Sequence, residues 1–161
     1  EGMLTEGLSI MKAVHDRYGA AKRNPYDEVE CSSHYSRSMA SYGVYLAACG
    51  YHYHGPKGEL GFAPKINPEK FKCAFTVAEG WGSFTQKITD KTQENTIEIN
   101  YGSLTLNMFS IVTGLMVKNI HATINGEKFS VEGSKEKDTY NIKMNKVLLN
   151  MGDKLKVVFK N

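Results

Sequence analysis

Cysteine is scarce in this sequence, tryptophan scarcer, and no apolar run is long. The three cysteines, Cys31, Cys49 and Cys73, cannot all pair, and none sits in C-x-x-C spacing. That argues against a disulfide framework or a cysteine-rich metal site and for buried thiols in a reducing compartment. No stretch approaches the roughly 20 apolar residues of a membrane-spanning helix. There is no run of lysine or arginine, and the net charge is only +3, too little to argue for nucleic acid. No G-x-S-x-G elbow supports nucleophilic catalysis, and no glycine loop is built to cradle phosphate. No cofactor is expected.

What is present suffices for one ordinary domain or two small ones: 161 residues, of which 41% are hydrophobic. The chain opens on Glu1 within what already reads as a helix, so it is read as a piece of a longer protein. Leu4, Leu8, Met11 and Tyr18 lay one apolar stripe along that first helix. His15 reads as a helix-end polar residue. Pro25 then restrains Asn24 to extended geometry. Ser32 or Ser33 is the expected cap of a second helix running to about Cys49, and Gly50 is its left-handed terminator. Small residues on several sides of this second helix, among them Ser36, Ala40, Gly43 and Ala47, imply close packing against helices beyond the first.

After Gly50 the period changes. Tyr51-His52-Tyr53-His54 points both histidines to one side of a strand, without a third ligand at a recognisable offset. Gly55 to Gly61 reads as a loop. Asn67-Pro68-Glu69 reads as a single turn followed by a strand to about Val77, then a turn at Gly80-Trp81-Gly82 and a strand from Ser83 to Thr89. Trp81, the only tryptophan, suits either a sugar face or the core. Alternation continues through Ile97, Ile99 and Tyr101, a turn at Gly102, and Leu104, Leu106 and Met108. Asn125-Gly126 is a strong hairpin signal, and Tyr140 to Met144 and Leu155 to Phe159 alternate again. From Thr85 onward 11 lysines stand against 8 acidic residues, which reads as solvent-facing and edge strands kept soluble by charge.

The acid/base candidates are Asp27, Glu28, Glu30 and Glu79, with His15, His34, His52 and His54. Asp27, Glu28 and Glu30 crowd just ahead of the second helix, with Arg37 in its first turns. Glycoside hydrolysis needs two carboxyls flanking the scissile bond, roughly 5 Å or 6.5–9.5 Å apart by mechanism. Glu28 and Glu30, two apart in an extended segment, meet that separation but have no recognisable preorganised partner. A binding role fits better: a carboxylate accepts from vicinal sugar hydroxyls while arginine donates from a rigid fork. A structural ion pair at a helix start accounts for the same residues.

The strings HDRY at 15–18, RNPYDEVEC at 23–31, HYSRSMASYGVYLAACG at 34–50 and FTVAEGWGSFTQ at 75–86 resemble the C-terminal end of the family 116 glycoside hydrolases. These are the bile-acid β-glucosidase or non-lysosomal glucosylceramidase family. The resemblance is detailed over the first half of the chain and loose beyond it. It implies a retaining β-glycosidase with an (α/α)6 catalytic barrel whose nucleophile and acid/base lie upstream of this chain. It also implies that Glu28 and Arg37 contact glucose hydroxyls. Tyr26, Asp27 and Ser32-Ser33 depart from the family's usual Trp, Asn and Gly-Asp.

The resulting expectation is an α+β fold. Residues 1–62 would carry the last helices and a loop of the (α/α)6 barrel, and residues 63–161 a small antiparallel β-sheet or sandwich. The expected partners are a β-glucoside or related carbohydrate and the remainder of the catalytic domain. The alternative is a non-catalytic carbohydrate-binding or structural interaction module.

Overall fold

The computed structural model describes residues 2–17, 21–22 and 35–161, the side chains of 35–38 excepted. The chain divides into two compact units, Glu1–Ala47 and Ala48–Asn161.

The first unit holds helix α1 (Leu4–Arg17) and all but the end of helix α2 (Tyr35–Cys49). The apolar stripe does give a helix, yet none of the residues of α1 is buried. Ile10, Met11 and Val14 on α1, and Met39 and Val44 on α2, stand exposed. An exposed ion pair, Lys12 Nζ to Asp16 Oδ2 at 2.6 Å, joins residues four apart on α1. A surface pair of that kind is screened by solvent and adds little stability.

The second unit overturns the expected fold class. The described residues form two α-helices against ten strands, and one strand pair is parallel, so the β part is neither small nor purely antiparallel. The end of an (α/α)6 barrel is therefore not what this chain builds. The physical reason is where the core lies: among the described residues, every buried hydrophobic side chain except Cys49 sits on a strand. Beyond Gly50 the sequence alternates with period two and offers no helical stripe.

The ten strands make two sheets that share one strand. One sheet runs β1 (His52–His54), β2 (Glu59–Phe62), the second half of β5 (Thr92–Val112), β9 (Thr139–Asn150) and β8 (Glu132–Glu136). The other runs β3 (Lys70–Val77), β4 (Gly80–Ile88), the first half of β5, β10 (Lys154–Lys160), β6 (Asn119–Ile124) and β7 (Glu127–Phe129). Strand β5 (Thr92–Val112) spans 21 residues and pairs with β4 and β10 before Gly102 and with β9 and β2 after it.

Side chains from the two sheets meet in the core. Phe62 of β2 stacks on Phe84 of β4 with ring centres 4.0 Å apart, and Phe109 of β5 meets Phe84 edge-on at 6.2 Å. Tyr140 of β9 packs on Phe159 of β10 at 5.1 Å. Phe62, Phe84, Phe109 and Phe159 are all essentially inaccessible. Each such burial contributes on the order of 1.5–3 kcal/mol. A buried amide cluster ties the sheets as well. Gln93 Nε2 donates to Gln86 Oε1, Asn95 Oδ1 and the Val112 carbonyl at 3.1, 3.2 and 3.1 Å. The last of these bonds joins the two ends of β5.

Several turns differ from expectation. The hairpin between β3 and β4 turns at Ala78-Glu79, so Trp81 lies within β4. Gly102 is not a turn. It is the bend at which β5 passes between sheets, with φ +71°. A β-carbon there would collide with the Glu79 carbonyl oxygen. The stretch read as a loop after His54 holds a 3-10 turn at Gly55–Lys57 and then β2. The expected features at Gly50 (φ +57°) and at the Asn125-Gly126 hairpin (φ +53° and +89°) are in place.

Replacement of Gly102 by alanine adds a left-handed penalty to a backbone clash. Gly102→Ala is expected to lower the unfolding free energy by about 2–4 kcal/mol. Denaturant titration checks this; a loss below half a kcal/mol would contradict the bend as described.

Candidate functional site

Of the two predicted sugar-contacting residues, Glu28 lies outside the described residues. Arg37 lies on α2 near its start, with its side chain outside the description. Asp27, Glu30 and His34 fall outside it too, as does Cys31, whereas Cys49 and Cys73 are buried in the β unit. His15 occupies the last turn of α1. His52 and His54 are exposed on β1, and each has a local task. His52 Nε2 stands 3.8 Å from Glu59 Oε2, and His54 Nδ1 accepts the Lys57 N–H at 3.3 Å, capping the 3-10 turn.

Among the described residues, Glu79 is a sequence candidate that the structure places beside a cavity. A cleft of about 310 Å³ opens between the β1–β2 connection, the β3–β4 turn and β5 just past its bend. Tyr53, Pro56, Glu79, Ser103 and Thr105 supply most of its side chains. The Ser103 hydroxyl donates to Glu79 Oε2 at 3.4 Å, and the Ala78 N–H donates to the Tyr53 hydroxyl at 3.3 Å. Ser103 N–H also donates to the Glu79 carbonyl at 3.1 Å, so the turn is pinned to the bend. One rung further along, Trp81 of β4 lies opposite Tyr101 of β5 in register, and both rings are exposed.

The glycines on either side of Trp81 explain the G-W-G string. A β-carbon on Gly80 would strike the Tyr101 carbonyl, and one on Gly82 would strike the Glu98 carbonyl and the Phe75 ring. These glycines serve close backbone approach in a strand. In sequence they looked like turn residues, because both uses favour the residue without a side chain. Tyr101 was visible only as one member of an alternating run. Nothing in the sequence paired it with Trp81, because the shift in register between Trp81 and Gly82 that sets them opposite is a feature of the fold.

Two described carboxyls are held below the usual range, and both have structural tasks. Asp16 is lowered first by its hydrogen bond from Lys12. Asp153 is lowered by the Asn150 N–H and then by the Asn125 amide, at 2.8 and 2.7 Å. The Asp153 carboxylate thus clasps the β9–β10 turn to the β6–β7 hairpin. With its folded value depressed, it contributes stability above the ordinary aspartate value of about 3.9, and loses it as pH falls through the lower folded value. The difference in stability between the parent chain and Asp153→Asn is therefore expected to shrink on acidification through that window. Melting curves across pH check this, and a gap independent of pH would contradict it.

No family model matches the chain, and no curated protein does. Among solved structures it is similar to a GH127 β-L-arabinofuranosidase from Geobacillus stearothermophilus T6, at 19% identity and a TM-score of 0.44, over 76% of this chain and 18% of that one. It is also similar to an α-L-rhamnosidase from Dictyoglumus thermophilum, at 10% identity and a TM-score of 0.43, over 78% of this chain and 14% of that one. The chain thus spans less than a fifth of either structure, and both neighbours are glycosidases by name.

Proposed function

We propose that this chain is the C-terminal part of a retaining β-glucosidase-type glycoside hydrolase. In this reading it supplies sugar-holding residues, Glu28 and Arg37, while the catalytic carboxyls belong to another part of the protein. The observation that carries the proposal is the string N-P-Y-D-E-V-E-C…H-Y-S-R, with arginine nine positions after the first of its two glutamates. A carboxylate that accepts two hydroxyl hydrogen bonds and a guanidinium that donates from a fixed fork suit adjacent hydroxyls of one pyranose. The exposed apolar residues Ile10, Met11, Val14, Met39 and Val44 support a helical unit that is covered by further chain.

In a retaining glycosidase the reacting pair of carboxyls stands about 5–5.5 Å apart across the scissile bond. Glu28 and Arg37 act by orientation. Hydrogen bonds to sugar hydroxyls that strengthen as the ring flattens toward an oxocarbenium ion lower the barrier, and those that do not only lower KM. The second reading, a non-catalytic carbohydrate-binding module, draws on the exposed Trp81 and Tyr101.

Two measurements separate these readings. The 161-residue chain alone is expected to release no sugar from an aryl β-glucoside, whereas a longer protein carrying it turns over. Robust turnover by the pure chain contradicts the assignment of the catalytic carboxyls elsewhere. In the longer protein, Glu28→Gln is expected to reduce kcat/KM by an amount on the order of several kcal/mol. An unchanged kcat/KM returns Glu28 to a structural role.

A further inference from the structure

One face of β4 and of the first half of β5 turns inward, with Gly82, Phe84 and Gln86 opposite Ile99, Ile97 and Asn95. The other face carries Ser83 opposite Glu98 and Thr85 opposite Thr96, all only partly covered. Trp81 and Tyr101 open that outer face beside the bend, 47% and 63% exposed. A single exposed ring is ordinary, but two set opposite one another in register form one platform. The backbone beneath Trp81 is closely packed, because the glycines on either side leave no room for a side chain.

The polar groups nearby decide what such a platform suits. The Glu79 carboxylate and the Ser103 hydroxyl stand at the adjoining cleft, with Tyr53 and Thr105 beside them. Lys154 and Lys156 of the neighbouring strand are each engaged by a carboxylate, Glu98 at 3.1 Å and Glu94 at 2.9 Å. The Glu79 carboxylate at the cleft repels phosphate and so disfavours nucleic acid. The serine, threonine and glutamate rows beyond Trp81 do not extend an apolar patch for a protein partner. A pyranose presents an apolar C–H face ringed by hydroxyls, which matches a ring platform edged by an acceptor.

We propose that Trp81, Tyr101 and Glu79 form a binding surface for a neutral oligosaccharide, with pyranose faces on the two rings and hydroxyls donating to the Glu79 carboxylate. The inference stands whether or not Glu28 and Arg37 hold a sugar. Because the chain has a single tryptophan, its emission reports on Trp81 alone. Titration of the full chain with cellohexaose, laminarihexaose and chitohexaose is expected to give a saturable emission change with at least one, at about millimolar Kd or tighter. By calorimetry, Trp81→Ala and Tyr101→Ala each weaken that binding about tenfold or more, the size of a lost stacking contact. Trp81→Phe keeps most of it, and Glu79→Gln weakens it less than loss of either ring. The melting temperature stays close to that of the parent, since these side chains are exposed. Three results overturn the proposal: no saturable response to any of the three glycans, binding retained in both alanine variants, or an emission change that follows protein concentration without sugar.

Discussion

One strand has to serve two sheets, and the β unit depends on how it does so. Over its first half β5 is a central strand of one sheet; past Gly102 it is a central strand of the other. The bend needs a left-handed residue and a backbone approach that excludes any side chain, which only glycine meets. Once the strand has turned, its two halves carry Ile97 and Ile99 on one side of the core and Leu106, Phe109 and Ile111 on the other. The Gln93 amide then closes the fold at the far end by reaching the Val112 carbonyl. The same bend shapes the surface, because the cleft with Glu79 and the Trp81–Tyr101 rung both border it.

Much of this was legible in sequence wherever one physical signal dominated. The first helix shows its stripe, the hairpin at Asn125-Gly126 its left-handed pair, and β10 its inward Leu155, Val157 and Phe159. Three features were not legible. Strand β8, Glu132–Glu136, is exposed at every position, so it has no alternation to read. Strand β2 follows a run of glycines and lies in a parallel pair with β5, a long-range partnership that no local pattern encodes. The G-W-G string and Gly102 looked like turns because a glycine needed for close approach is spelled the same way as a glycine needed for reversal.

The largest departure concerns the fold class: residues 1–62 were expected to close an (α/α)6 barrel, yet the described residues hold two helices, and strands begin at His52. The matching strings crowd into the helical half and the β3–β4 hairpin. The remainder of the chain follows its own period of two. Glu28 and Arg37 are proposed on chemical grounds: an acceptor and a rigid donor nine residues apart. The apolar residues exposed on the two helices suit a wall that other chain completes.

A crystal structure of a longer protein containing this chain, with a glucose-configured iminosugar bound, tests that claim most directly. The account predicts the inhibitor's hydroxyls within hydrogen-bonding distance of both the Glu28 carboxylate and the Arg37 guanidinium. An inhibitor seated elsewhere, with Glu28 and Arg37 paired only to each other, would contradict it.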